Sequence, residues 1–458
     1  MPTRPIDPER LRTLTERELA KLNASTPQSA ALFERAKAHL VGGVASSYHL
    51  REPWPIYVDR GQGSQIWDVD GNGYVDILNG YGCMVQGHGH PVVARAVDER
   101  FRNGSVFAAT TEESIEVAEE LARRFGLPKW RFTNSGTEAT MDAIRIARAA
   151  TGRETVMKIF GSYHGHHDYV MVSLPFPYDD IGPRDDYASI PFGAGIPERV
   201  PEMTVAVPFN DADAMERRIE KLAADDRLPA CVIMEPVMTN IGIILPEPGY
   251  LEAVRELTRK HGVLLIFDEV KTGLSIAPGG ATERYGVTPD LVTLAKVLGA
   301  GLPSGAIGGT DAALAPVESG DVYQVGTFAG NPLTMAAAKA SLFEVLTPEA
   351  YEHLERIGLR ALQGCASVIE RTGLPARAVG VGCKGHVSFS ADPVTDYESF
   401  RAGANPALAT LAYLYNMNHG VFVPPEREEE WTFSVVHTEA DVDRFVEAFD
   451  AFATDLMD

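Results

Sequence analysis

The sequence predicts an α/β fold, with a mostly parallel sheet flanked by helices in a large domain and a smaller α+β domain assembled from both ends of the chain. Three observations carry this. Between about residues 76 and 340, apolar runs such as Val263-Leu-Leu-Ile-Phe and Leu291-Val-Thr-Leu-Ala alternate with amphipathic stretches, the pattern of strands buried on both faces by crossover helices. The stretch from 341 to 458 begins with the helical Pro348-Glu-Ala-Tyr-Glu-His-Leu and closes on Thr438-Glu-Ala-Asp441, a capping-box start with Val442, Phe445, Val446, Phe449 and Phe452 on one stripe behind it. A chain of 458 residues also exceeds what one core usually supports.

Residues 1–75 read as a helix, a connector and hairpin strands. Asp68-Val-Asp-Gly-Asn-Gly-Tyr fits the first half of a calcium loop, but its twelfth position is Asn79 rather than a bidentate glutamate. With Ser64-Gln-Ile-Trp before it and Tyr74-Val-Asp-Ile after it, a hairpin turn accounts for the segment better. Next, Arg131-Phe-Thr-Asn runs as a short strand into Ser135-Gly136-Thr137 and a helix carrying Met141, Ile144, Ala147 and Ala150. Thr137 is the expected cap of that helix and Thr151-Gly152 its end. Backbone amides, two hydroxyls and a helix amino terminus thus converge on an anion site.

Gly161-Ser-Tyr-His-Gly-His-His-Asp168 offers possible metal ligands in His164, His166, His167 and Asp168. They are too crowded for the usual ligand spacing, and no thiol lies near, so no metal is expected. Ser173 to Pro201, proline-rich and without a period, reads as a long active-site loop.

The chemistry concentrates at two strand ends. The run from Val263 ends in Asp268-Glu269-Val270, and the run from Leu291 ends in Lys296, 28 residues beyond that aspartate, before the glycine-broken Val-Leu-Gly-Ala-Gly-Leu-Pro-Ser-Gly. Taken singly, each is more often a solvated loop charge or a cap. Together with the anion site, they match what an aldehyde cofactor with a pyridine ring needs. A lysine makes the Schiff base, and an acid keeps the ring nitrogen protonated so that the ring withdraws electrons.

A net charge of −22 argues against nucleic acid or an anionic membrane as partner. The four cysteines, Cys83, Cys231, Cys365 and Cys383, are widely spread, which points to a reduced, cytoplasmic protein. No signal peptide or membrane-length apolar run is expected.

From Leu32-Phe-Glu-Arg-Ala and Gly42-Gly-Val to Ser434-Val-Val-His-Thr-Glu-Ala-Asp, the chain resembles the class III aminotransferases of the fold-type I pyridoxal-phosphate enzymes. Within that group it is most similar to glutamate-1-semialdehyde 2,1-aminomutase and related beta-amino-acid and omega transaminases. The resemblance implies pyridoxal 5'-phosphate as cofactor, with pyridoxamine 5'-phosphate as its alternate form. It implies Lys296 as the Schiff-base lysine and proton shuttle and Asp268 as the partner of the pyridine nitrogen. Ser135, Gly136 and Thr137 match the phosphate cup, Tyr163 the ring-stacking aromatic with His164 beside it, and Val270 the apolar residue on the other ring face. Glu235-Pro-Val-Met-Thr-Asn240 matches the strand-end motif whose asparagine reaches the ring hydroxyl. Gly326-Thr327-Phe matches a loop that crosses to the partner's phosphate, which implies a homodimer with shared sites.

Substrate positions depart from the aminomutase pattern. Relatives with that activity carry an arginine where this chain has His49, after Ser46, and imidazole cannot replace the bidentate guanidinium fork. Arg51 and Arg427 are the candidates to hold a carboxylate instead. Tyr81 stands for a common tryptophan, Lys271 for the usual methionine of Asp-Glu-Val-Met-Thr-Gly, and Glu429 falls where the aminomutases keep a pocket glutamate. The expectation is an aminotransferase passing an amino group from a small amino donor to a carbonyl acceptor, with the aminomutase as the alternative.

Overall fold

The structure is a computed structural model, and it describes residues 5–176, 178, 180–424 and 430–458. The amino-terminal helix Pro8–Ser25 leads to an antiparallel hairpin sheet, β1 (Val58–Gln62), β2 (Gln65–Asp68) and β3 (Gly73–Asp76). The Asp-Gly-Asn-Gly segment is the β2–β3 turn, as expected. Asp68 is an internal partner there, its Oδ1 accepting from the backbone N–H groups of Asp70 and Asn72 at 3.0 and 2.8 Å.

Seven strands form the central sheet: β4 (Lys129–Thr133), β5 (Val156–Ile159), β6 (Thr204–Val207), β7 (Cys231–Met234), β8 (Leu264–Asp268), β9 (Leu291–Leu294) and β10 (Gly305–Gly309). Their order is β4-β10-β9-β8-β7-β5-β6, and only β10 runs against its neighbours. Period-two side chains divide the core between the two faces. Cys231, Ile233, Ile266 and Leu291 pack with Ala143, Ile144 and Ala147 of the helix Gly136–Thr151. Val232, Met234, Leu265, Phe267, Val292 and Leu294 point into the main core on the other side. Each large apolar side chain so removed from water stabilises the fold by about 1.5–3 kcal/mol.

Because the strands other than β10 run parallel, the carboxyl ends of β4, β5, β7, β8 and β9 emerge on one edge of the sheet, where open α/β sheets bind ligands. The expected active-site residues follow these five strands.

Beyond the sheet, the helices Pro348–Thr372 and Glu439–Met457 cover a three-stranded antiparallel sheet of β11 (Arg377–Val381), β12 (Lys384–Ser388) and β14 (Trp431–Thr432). The capping box forms, since Thr438 accepts from the Asp441 N–H and Asp441 accepts from the Thr438 N–H. Val442, Phe445, Phe449 and Phe452 of the expected stripe are buried, and Val446 is half-buried. The short strand β13 (Val421–Phe422) pairs in parallel with β3, so the smaller sheet region draws on both ends of the chain. No helix among the described residues is long and apolar enough to cross a membrane.

Candidate active site

Five loops at the carboxyl edge enclose a cavity of about 360 Å³. Lys296 enters it from the end of β9, in a left-handed backbone conformation with φ 46°. Burial lowers its amine to a pKa of about 8, and the nearby Lys271 ammonium pushes in the same direction. A lysine so placed is a nucleophile near neutral pH.

Asp268 closes β8 and is buried. Its Oδ1 accepts from the Val270 N–H at 3.0 Å and from the Thr293 hydroxyl at 3.2 Å, and its Oδ2 lies 2.7 Å from His164 Nδ1. These contacts fix the carboxylate in one orientation. Glu269 turns to a different task, accepting from the Thr272 hydroxyl, from the Ala281 N–H and from both the hydroxyl and the N–H of Thr282. Of the adjacent acids, only Asp268 lines the cavity.

The strand–turn–helix after β4 supplies the expected anion cradle, with one correction. The cap of Gly136–Thr151 is Ser135 rather than Thr137: it is extended at φ −156°, and its hydroxyl accepts from the Glu138 N–H at 3.2 Å. Thr137 lies inside the first turn, and its hydroxyl pairs with His166 Nδ1 at 3.1 Å. Gly152 ends the helix in the left-handed conformation, as expected. Gly136 is required by close approach, since a Cβ there would sit 2.9 Å from Val270 Cγ2.

Each of the three histidines meets a side chain through one ring nitrogen, while His164 Nε2 and His167 Nδ1 are buried with no partner among the described residues. His164 is bonded to Asp268, His166 to Thr137, and His167 Nε2 lies 3.4 Å from the Thr140 hydroxyl. Burial drops His167 to a pKa of about 3, which makes it a neutral packing group.

After β7, Glu235 organises its own loop, with Oε1 accepting from the Tyr163 N–H at 3.0 Å and Oε2 accepting from Thr239 and from the Asn240 amide. Sequence reasoning overlooked Lys158 on β5. It is wholly buried, and its ammonium donates to the Ser162 and Val172 carbonyls, pinning the strand exit that presents Tyr163. A buried lysine inside an apolar run is its only sequence signal.

Ser135, Gly136, Thr137, Tyr163, His164, Glu235, Asn240, Asp268, Val270 and Lys296 all line the one cavity. Thr327 does not; it is exposed, in a stretch with Tyr323, Val325 and Phe328 also exposed. Ser46 and His49 are exposed on the turn Ser47–His49 and its cap, the Ser46 hydroxyl accepting from the Tyr48 N–H. Arg51 and Tyr81 meet, with the guanidinium donating to the Tyr81 hydroxyl at 2.7 Å. Tyr48, which the sequence did not single out, joins them to the cofactor wall. Its ring stands edge-on to Tyr81 at 5.4 Å and to Tyr163 at 6.2 Å. Arg427 and Glu429 lie outside the described residues. The described residues of the Ser173–Pro201 loop are absent from the cavity wall.

The donors present suit a phosphorylated pyridine aldehyde. A nucleophilic amine, an oriented carboxylate and a helix amino terminus share one enclosure, and the cavity-lining Ser304 hydroxyl is buried with no partner among the described residues. Comparisons with known proteins agree. The family model for class-III aminotransferases matches residues 47–393. The chain is 39% identical over 426 residues to glutamate-1-semialdehyde 2,1-aminomutase 2 of Brevibacillus brevis, covering 92% of this chain and 97% of that one. An omega-transaminase from Sphaerobacter thermophilus superposes with a TM-score of 0.87 at 35% identity, covering 93% and 97% of the two chains. A glutamate-1-semialdehyde-aminomutase from Pseudomonas aeruginosa PAO1, solved in complex with PMP, superposes with a TM-score of 0.90 at 30% identity, covering 98% and 99%. The chain belongs to the class-III aminotransferases, fold-type I enzymes that use pyridoxal 5'-phosphate.

Proposed function

We propose that this chain is an aminotransferase that moves an amino group from an amino acid or amine, beta-amino acids included, to a 2-oxo acid or another carbonyl acceptor, with Lys296 as the Schiff-base lysine. The observation that carries this reading is the pairing of a buried amine titrating near 8 with the fixed Asp268 carboxylate in one cavity. When bound, the cofactor supplies an electron-withdrawing ring and a carbonyl for the amine to attack.

This chain's residues do the rest. Lys296 Nζ would hold the cofactor and, when free, would take the proton from the donor's reacting carbon and return it on the other side of the exchange. Asp268 would face the ring nitrogen and favour its protonated form, and His164 keeps Asp268 in place. The amides of the Gly136–Thr151 helix, with Ser135 and Thr137, would receive the phosphate. Tyr163 and Val270 would contact the ring and Asn240 its hydroxyl, and Glu235 positions both Tyr163 and Asn240. Arg51 beside Tyr81 and Tyr48 is a candidate to hold a substrate carboxylate, with Arg427 as the alternative and Ser46 and Glu429 as further candidates for substrate contact.

Thr327 is proposed to act on the phosphate of a second copy in a homodimer, a reading supported by the exposure of Tyr323, Val325 and Phe328 around it. Domain boundaries near residues 75 and 340, and a reducing cytoplasmic setting for the four unpaired cysteines, complete the proposal.

A second reading, glutamate-1-semialdehyde 2,1-aminomutase, is supported by the activity for which the Brevibacillus relative is named. Exposed His49, in place of the substrate-binding arginine, favours transamination instead. Both activities use the same residues and differ in whether the amine leaves with the enzyme or returns to a neighbouring carbon of the same substrate. Visible spectra of the loaded enzyme with single amino compounds and no acceptor separate them. Conversion of the cofactor to its amine form by alanine, a beta-amino acid or an aryl-alkyl amine, with keto product accumulating, is the expected result. Consumption of glutamate-1-semialdehyde alone, with catalytic release of 5-aminolevulinate, overturns the transaminase reading.

A further inference from the structure

Three charged side chains that the mechanism above leaves unused form one buried cluster, of which Lys271 reaches the cavity wall. Lys271 follows β8 in the loop that carries Asp268, and it lines the cavity with Lys296. Its ammonium donates to Glu430 Oε2 at 2.9 Å and to the Thr239 carbonyl at 2.9 Å. Lys384, at the start of β12, places its ammonium 3.4 Å from Glu430 Oε1 and 2.8 Å from the Thr432 hydroxyl. Lys271, Lys384 and Glu430 are 7, 1 and 3% exposed. Charges so far from water persist only where their partners hold them. Lys384 also approaches the residue before the cavity-lining Cys83, since a Cβ on Gly82 would come within 2.8 Å of its ammonium.

We propose that Lys271 is a positioning residue for the reaction of Lys296, clamped by Glu430 and the Thr239 carbonyl so that it fixes a positive charge in the cavity wall it shares with the catalytic amine and braces the loop carrying Asn240. This rests on Lys296 being the cofactor lysine. Two contributions make the effect local. A fixed positive charge in a poorly solvated wall disfavours a second one close by, the device by which a cationic neighbour activates a lysine nucleophile. Burial acts most strongly on Lys296; among the described groups Lys271 and Lys384 lower its proton affinity and Glu430 and Cys83 raise it, Lys271 being the largest of these four. Asp268 and Glu235 also line the cavity, but they are engaged by His164 and Thr293 and by Tyr163, Thr239 and Asn240 respectively. Glu430 accepts from both lysine side chains, one on each carboxylate oxygen. The second part of the role is mechanical. Lys271 ties Thr239, next to Asn240, to the segment entering β14, and so links the cofactor loops to the smaller sheet.

The test is a pH titration of the visible band of the Lys296-linked cofactor in the loaded enzyme, for the parent protein and for Lys271→Met, Lys271→Gln and Lys271→Arg. Gln keeps two N–H donors for Glu430 and the Thr239 carbonyl but has no charge, so it remains informative if Met compromises folding. The expected result is a titration moved to higher pH by about one unit in the Met and Gln variants, tenfold in proton affinity, and returned toward the parent by Arg. The same two variants are expected to lose kcat more than they raise KM for the donor. A titration unchanged in Lys271→Gln, with the cofactor still attached, overturns the proposal. Failure of the parent protein to form the band overturns instead the assignment of Lys296, so the two claims fail separately.

Discussion

At the scale of single residues, the account turns on the state of one amine. A lysine in water stays charged until about pH 10.4 and attacks carbonyls slowly at neutral pH. Burial in the cavity brings Lys296 down to about 8. Only the neutral amine attacks, so the rate at which cofactor-free protein captures pyridoxal phosphate is expected to rise with pH through a midpoint near 8 and level off above it. Stopped-flow absorbance measures that rate, and a midpoint near 10 would mean the amine is not desolvated. Linkage gives the same sign: a lysine pKa depressed by folding costs stability at low pH, and that cost is relieved as pH rises from 8 toward 10.5. Asp268 is the second residue. Asp268→Asn keeps the shape but removes the charge, and kcat is expected to fall on the order of 10²–10³-fold, as when one preorganised electrostatic group is lost. A drop of less than tenfold would show that the ring nitrogen does not depend on this carboxylate.

At the scale of elements, the anion cradle depends on a cap and a missing side chain. Ser135→Ala is expected to cost about 1 kcal/mol of stability through the lost cap, read by thermal or urea unfolding. Gly136→Ala drives a methyl into Val270, with an overpacking cost of about 1–3 kcal/mol and weaker cofactor retention, read by dialysis against buffer. Unchanged retention would remove the helix start from the phosphate site. Elements of this kind were readable from the chain because strand exits announce themselves: an apolar run, then a chemically specific residue, as at Asp268 and Lys296; Glu235 was placed only by the family resemblance. The hairpin and the capping box at Thr438 were readable for the same local reason. The Ser135 cap was misassigned to its neighbour because Ser-Gly-Thr offers two hydroxyls, and only the extended backbone at Ser135 decides between them. Tyr48 and the clamp on Lys271 were not legible, because their partners lie far along the chain: Lys271 meets Glu430 across 159 positions. Lys158 was not, because its partners are backbone carbonyls, which no side-chain pattern announces.

At the scale of the whole molecule, the mostly parallel sheet gathers five strand exits at one edge, and the three-stranded sheet is tied to them through the Lys384–Glu430–Lys271 contacts. The segment with exposed Tyr323, Val325 and Phe328 has the character of a face that a second copy covers. Phe328→Asp is therefore expected to shift sedimentation from dimer to monomer and to abolish activity with it, since Thr327 is proposed to complete the neighbouring site. A parent protein that sediments as a monomer at full activity would end that reading.

The central claim is that Lys296 carries the cofactor at the carboxyl edge of the sheet. Borohydride reduction of the loaded enzyme followed by peptide mass spectrometry tests it most directly. The account predicts one reduced pyridoxyl-phosphate adduct, on Lys296, which disappears in Lys296→Ala. An adduct on Lys271 or Lys158 in the parent protein, or an unaltered adduct in the variant, would contradict it.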